Sequence, residues 1–106
     1  MNTATTPDVC LTLVAAREIE EMIIDVLLEH DDIVRRFGTH PLDAHGARIG
    51  YASVAERVRG RAERSQFELL MANHDTPRIL DALRARLPRA DISYWITPVL
   101  AYGRLA

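Results

Sequence analysis

The sequence predicts an α+β domain of strand, helix, strand, strand, helix, strand order, with a long irregular segment between the two middle strands. Three observations carry that expectation. An almost unbroken apolar run lies at Val9–Ala15, apolar residues recur at helical spacing after Arg17 and again after Thr76, and residues 65–72 and 91–97 alternate with a period of two. At 106 residues, 48% of them hydrophobic, the chain has the size and composition of one domain spanning 1–106. Residues 1–8 are polar and are expected to form a disordered N-terminal tail.

Val9-Cys10-Leu11-Thr12-Leu13-Val14-Ala15 is rich in β-formers and nearly continuous in apolarity, as a central strand covered on both faces should be. From Arg17 the period changes, and Ile19, Ile23, Val26 and Leu27 fall on one helical face with Met22 and His30 at its margins. That first helix ends near His30, and His30-Asp31-Asp32 reads as its end and a turn. Ile33-Val34-Arg35-Arg36-Phe37 reads as a second strand, whose two charges suit an edge position, and Gly38 closes it. Residues 39–52 hold Pro41, Gly46 and Gly50 among His40, Asp43 and His45 and keep neither period, so they read as a long loop.

Ser53-Val54-Ala55-Glu56 has the form of a capping box, predicting a short helix that Gly60 ends. In residues 65–72, Phe67, Leu69 and Met71 take one face and Gln66, Glu68 and Leu70 the other, which marks the third strand. Asn73-His74-Asp75 is a turn. Thr76-Pro77 opens the second main helix, because proline lacks only an amide that would be unpaired there. Ile79, Leu80, Leu83 and Leu87 stripe it and Pro88 ends it. In the fourth strand Ile92, Tyr94 and Ile96 oppose Ser93 and Trp95, and the tail Val99–Leu105 is apolar enough to pack on something. This order is the ferredoxin-like split βαβ arrangement, a four-stranded antiparallel sheet with two helices on one face. Cys10 or Leu11, Leu70 and Trp95 can point to the helix-free face, for which a partner subunit is the natural cover.

Thirteen arginines against fifteen acidic residues leave a net charge of −2, so no global field favours nucleic acid or an anionic membrane. The absence of lysine excludes Schiff-base chemistry and a P-loop lysine. A lone cysteine forms no internal disulfide; with no visible signal peptide and no apolar run of membrane-spanning length, a cytoplasmic protein without membrane insertion is expected. The apolar neighbours of Cys10 read as those of an inert core thiol.

Val34-Arg35-Arg36-Phe37-Gly38 resembles the strand that enters the T-loop of PII signal-transduction proteins, and Arg59-Gly60 with Ala62-Glu63 resembles the stretch that leaves it, Arg61 being inserted. Ala55-Glu56-Arg57-Val58-Arg59-Gly60-Arg61 and Tyr94-Trp95-Ile96-Thr97-Pro98-Val99 resemble more closely a PII-like branch found beside heavy-metal efflux pumps. The resemblance implies a homotrimeric, non-enzymatic regulator linked to metal homeostasis, whose partner is a membrane efflux or transport protein and whose T-loop-like segment responds to a ligand. It also implies two alternatives, an adenine-nucleotide-binding signalling protein and a structural metal-tolerance trimer of the CutA kind. Where better-known PII proteins carry a Gly- and Lys-rich phosphate loop, this chain has Leu87-Pro88-Arg89-Ala90, so ATP binding by that loop is not expected.

Two constellations carry candidate chemistry. His40, Asp43 and His45 offer two imidazoles and a carboxylate to a divalent ion such as Zn²⁺ or Cu²⁺, against the plainer reading of solvated loop histidines. Arg57, Arg59, Arg61 and Arg64 concentrate guanidinium groups that grip a phosphate or carboxylate in two-pronged fashion, against a solvated face balanced by Glu56 and Glu63. Leu70 and Trp95 are the candidate interface residues. No nucleophile elbow and no evident carboxylate pair points to catalysis, so no enzyme is expected.

Overall fold

The computed structural model describes residues 6–46 and 54–106, with the backbone alone at Arg59. Strand β1 (Val9–Ala16) leads through one turn of 3-10 helix (Arg17–Ile19) into α1 (Glu20–Leu28). Strand β2 (Phe37–Ala44), the six-residue α2 (Val54–Arg59) and β3 (Ala62–Met71) follow, then a second 3-10 turn (Asn73–Asp75), α3 (Thr76–Arg86) and β4 (Ser93–Pro98). All strand pairs are antiparallel in the order β2-β3-β1-β4, the ferredoxin-like arrangement of an α+β domain.

Because side chains alternate across a strand, register fixes which residues share a face. Leu13 lies between Phe67 and Tyr94, and Leu11 between Leu69 and Ile96. On this face Leu11, Leu13, Phe67 and Leu69 are fully buried against Ile23, Val26 and Leu27 of α1 and Ile79 and Leu83 of α3. The buried Ser65 hydroxyl donates to the Glu20 carboxylate, so the start of α1 is fastened to β3 without an unpaired polar group. Across the two helices Arg86 donates to Glu29 at 2.6 Å and Arg78 to Asp32 at 3.2 Å. The hydrogen bond from Arg86 holds the Glu29 carboxyl below the usual carboxylate range and raises the Arg86 guanidinium above its own.

The opposite face carries no helix. There Thr12 sits between Glu68 and Trp95, Cys10 between Leu70 and Thr97, and Gly38 and His40 of β2 extend the rows beside Glu68 and Gln66. Cys10 belongs to this face and is half-buried, not a core thiol; Leu11 takes the helix side.

The second strand is the main correction. Ile33 to Arg36 are not strand residues: the Ile33 and Val34 amides both donate to the His30 carbonyl, at 3.1 and 2.9 Å, wrapping the end of α1 so that Val34 closes the core. With those amides spent, pairing starts only at Phe37 and runs on through residues 39–44, which read as loop. Pro41 is tolerated because β2 is an edge strand, where one side of the backbone has no ladder partner. Residues 47–53, with the predicted cap Ser53, lie outside the described residues. So do residues 1–5 of the expected N-terminal tail, whereas Asp8 is held: its amide donates to the Met71 carbonyl, its carboxylate accepts from the Asn73 amide and its carbonyl from the Val99 amide.

Candidate functional site

The ends of β2, α2 and β3 meet in a polar junction at the base of the segment that joins the two middle strands. Helix α2 stops at Gly60, whose φ of +72° is the left-handed conformation that a Cβ would strain. The Gly60 and Arg61 amides both donate to the Glu56 carbonyl, at 2.9 and 3.2 Å. Glu56, only 4% exposed, turns its carboxylate to the first turn of β3 and accepts the Glu63 amide at 2.8 Å. One residue thus closes the helix with its backbone and fixes the incoming strand with its side chain.

Strand β2 joins from the other side. The Arg61 guanidinium lies 3.6 Å from the Asp43 carboxylate, and His45 Nδ1, when it carries the proton, donates to the Gly60 carbonyl at 3.3 Å. Arg17, just past β1, donates to the Arg64 carbonyl at 3.2 Å. Register explains its arrival: Ala16 pairs with Arg64, so the residue after β1 meets the start of β3. Arg17, which sequence reasoning missed, thus reaches the backbone of Arg64, but the Arg64 side chain shares the face of Gln66 and His40 while Arg61 stands beside Asp43, which lies on the other; Arg57 is exposed on α2 and the Arg59 side chain lies outside the described residues.

His40, Asp43 and His45 do not converge within one chain. Strand geometry puts His40 and Asp43 on opposite faces of β2, and His45 lies beyond its end, where its ring reaches the Gly60 carbonyl. Among the described residues no group of three or more His, Cys, Asp or Glu side chains is placed to hold a metal ion. Leu70 and Trp95 both lie on the helix-free face, 39% and 46% exposed. Beside Leu70 a depression of about 390 Å³ is lined by Cys10, Arg36, Phe37, Gly38 and Glu68. A second cleft, of about 260 Å³, separates α3 from the outer edge of β4. No described helix is long and apolar enough to cross a membrane.

The family model for the protein of unknown function DUF3240 matches residues 5–106. The chain belongs to the DUF3240 family. A DUF3240 family protein from Shewanella baltica is similar in structure, with a TM-score of 0.77 at 22% identity over 96% of this chain and all of that one. CPII, a nitrogen regulatory PII-like protein from Thiomonas intermedia, bound to ADP, AMP and bicarbonate, aligns with a TM-score of 0.69 at 10% identity, covering 93% of this chain and 97% of CPII. The same protein bound to ADP, AMP and acetate gives 0.67 at 11% identity, covering 93% and 91%. A comparison with curated proteins finds no match. At these identities the likeness is one of fold, and this DUF3240 chain has a PII-like fold.

Proposed function

We propose that this DUF3240 protein is a cytoplasmic, non-enzymatic PII-like regulator that works as a homotrimer and signals through the segment between β2 and β3. The observation that carries the reading is the junction at the base of that segment. Arg61 stands there beside Asp43 and Arg17 is tied to the Arg64 carbonyl, next to backbone turns fixed by Glu56 and Gly60, so an anion taken by one of these guanidinium groups would bear directly on the segment above. A ligand shifts such a segment only by contacting its states unequally, and the Arg61–Asp43 pair is a contact that an anion would compete with. CPII, bound to ADP and AMP, makes adenine nucleotides the first ligands to try. Titration calorimetry with ADP and AMP tests this: the parent should release heat and the Arg61→Ala, Arg64→Ala double variant should not. Equal heats from both, or none from the parent, would count against the nucleotide reading.

The link to metal homeostasis and to a membrane efflux partner rests on the resemblance and enters through His40, Asp43 and His45. Their separation within one chain means that an ion would be held between copies. Zn²⁺ and Cu²⁺ titrations of a His40→Ala, His45→Ala variant decide it, and unchanged heats would reject it.

A further inference from the structure

We infer that the outward face of α2 is a docking site for α1 of a second copy of the chain. Helix α2 is held to the body by one side. Glu56 turns its carboxylate to β3, and the residues two places before and after it lie almost opposite around the helix axis. Those residues are Val54 and Val58, 74% and 81% exposed, one turn apart on a single stripe with the exposed Arg57 beside them. Arg57 has no ionic partner among the described residues, so the stripe is apolar, positive and uncovered.

Helix α1 carries the complement. Its inner side is buried through Ile23, Val26 and Leu27, while Glu21, Met22, Asp25 and Leu28 follow one another at three- and four-residue spacing along its exposed side. Met22 and Leu28 are 49% and 59% exposed, and Glu21, like Glu18 in the turn before it, has no ionic partner among the described residues. An apolar stripe edged with carboxylates thus faces solvent on α1, and one edged with guanidinium on α2. Both lie at the same end of the molecule. The Ser65 hydroxyl donates to Glu20 and Arg17 donates to the Arg64 carbonyl, which fastens the start of α1 to the start of β3, where α2 ends. A two-fold axis through that end lets each copy lay its α2 on the other's α1, an isologous contact that closes on itself. The four apolar side chains expose roughly 400 Å² between them, so the doubled contact approaches the ~1,000 Å² at which specific, transient interfaces begin. Such a contact dissociates on dilution and weakens with salt. It uses the helix side of the molecule, and rests neither on a ligand at the arginine junction nor on the cover of the helix-free face.

Crosslinking between copies tests it. In a Cys10→Ser background, chains carrying Met22→Cys are mixed at low salt with chains carrying Val58→Cys, then treated with a short bis-maleimide. Docking predicts about tenfold more covalent dimer from the mixture than from either variant alone, because contact raises the local concentration of the two thiols. Arg57→Glu in both chains should abolish the excess, and Glu21→Arg added to both should restore it. No excess in the mixture, or a crosslink formed only inside a chain that carries both cysteines, overturns the inference. Sedimentation of the dilute, unaltered chain keeps the two readings apart: a multimer whose variants do not crosslink sinks the docking alone, and a monomer whose variants do crosslink sinks the regulator reading alone.

Discussion

Replacing Glu56 by alanine perturbs the junction at its most buried point. The side chain is 4% exposed and its carboxylate receives the Glu63 amide at 2.8 Å, so truncation removes a charge-assisted hydrogen bond and leaves a donor at the start of β3 without that acceptor. Losing such a partner costs about 1–3 kcal/mol. For a domain near 100 residues that lowers the midpoint of thermal unfolding by about 5–15 °C. Glutamine keeps a carbonyl acceptor in nearly the same place, and Glu56→Gln should recover about half of the loss. Differential scanning calorimetry reads the midpoint, and amide exchange at Glu63 reads whether the effect begins at the junction. An alanine variant that melts with the parent, its Glu63 amide equally protected, would refute the reasoning that this carboxylate organises the base of the segment.

Gly60→Ala should cost about 1–2 kcal/mol from left-handed backbone strain alone, because the added methyl would meet nothing within 4 Å; an unchanged urea midpoint would contradict it. Leu70→Asp places a charge beside Glu68 on the helix-free face, and should leave chain stability within about 0.5 kcal/mol while dispersing the oligomer, as measured by light scattering. An assembly of undiminished mass would show that this face is not the one covered. The Glu29 carboxyl titrates lower in the folded chain than in the unfolded one, so the stability it adds is present above the unfolded value near pH 4.5 and lost as pH falls through the folded value. Urea titrations on either side of that range should show a smaller acid loss for Glu29→Gln than for the parent, and parallel losses would remove the role given to the Arg86 bond.

Much of this fold is legible because burial and period coincide in β1 and β3. Phe67, Leu69 and Met71 are buried at every second place, and Leu11 and Leu13 answer them across the register. Strand β2 breaks that coincidence. Phe-Gly-Thr-His-Pro-Leu-Asp-Ala has little side-chain burial to pattern, and its place is set by backbone pairing to β3, which no hydrophobic period records. Ile33 and Val34 look like strand for the converse reason: they are apolar, but Val34 is buried as the stopper of α1. The candidate site divides in the same way. Clustering in sequence reveals Arg61 and Arg64, while Arg17 reaches the Arg64 carbonyl only through the pairing of β1 with β3. His40, Asp43 and His45 are close in sequence, yet the extension of β2 turns that closeness into distance and opposite faces.

The regulator reading stands on copies of the chain covering the helix-free face, where Leu70 and Trp95 offer roughly 200 Å² of apolar surface, or about 5 kcal/mol per copy at 25 cal/mol/Å². Sedimentation equilibrium of the unaltered chain measures this directly. The account predicts a single species of about three times the 11.9 kDa chain mass across a wide concentration range. A species at the mass of one chain, with Trp95 fluorescence fully quenched by added acrylamide, would contradict it.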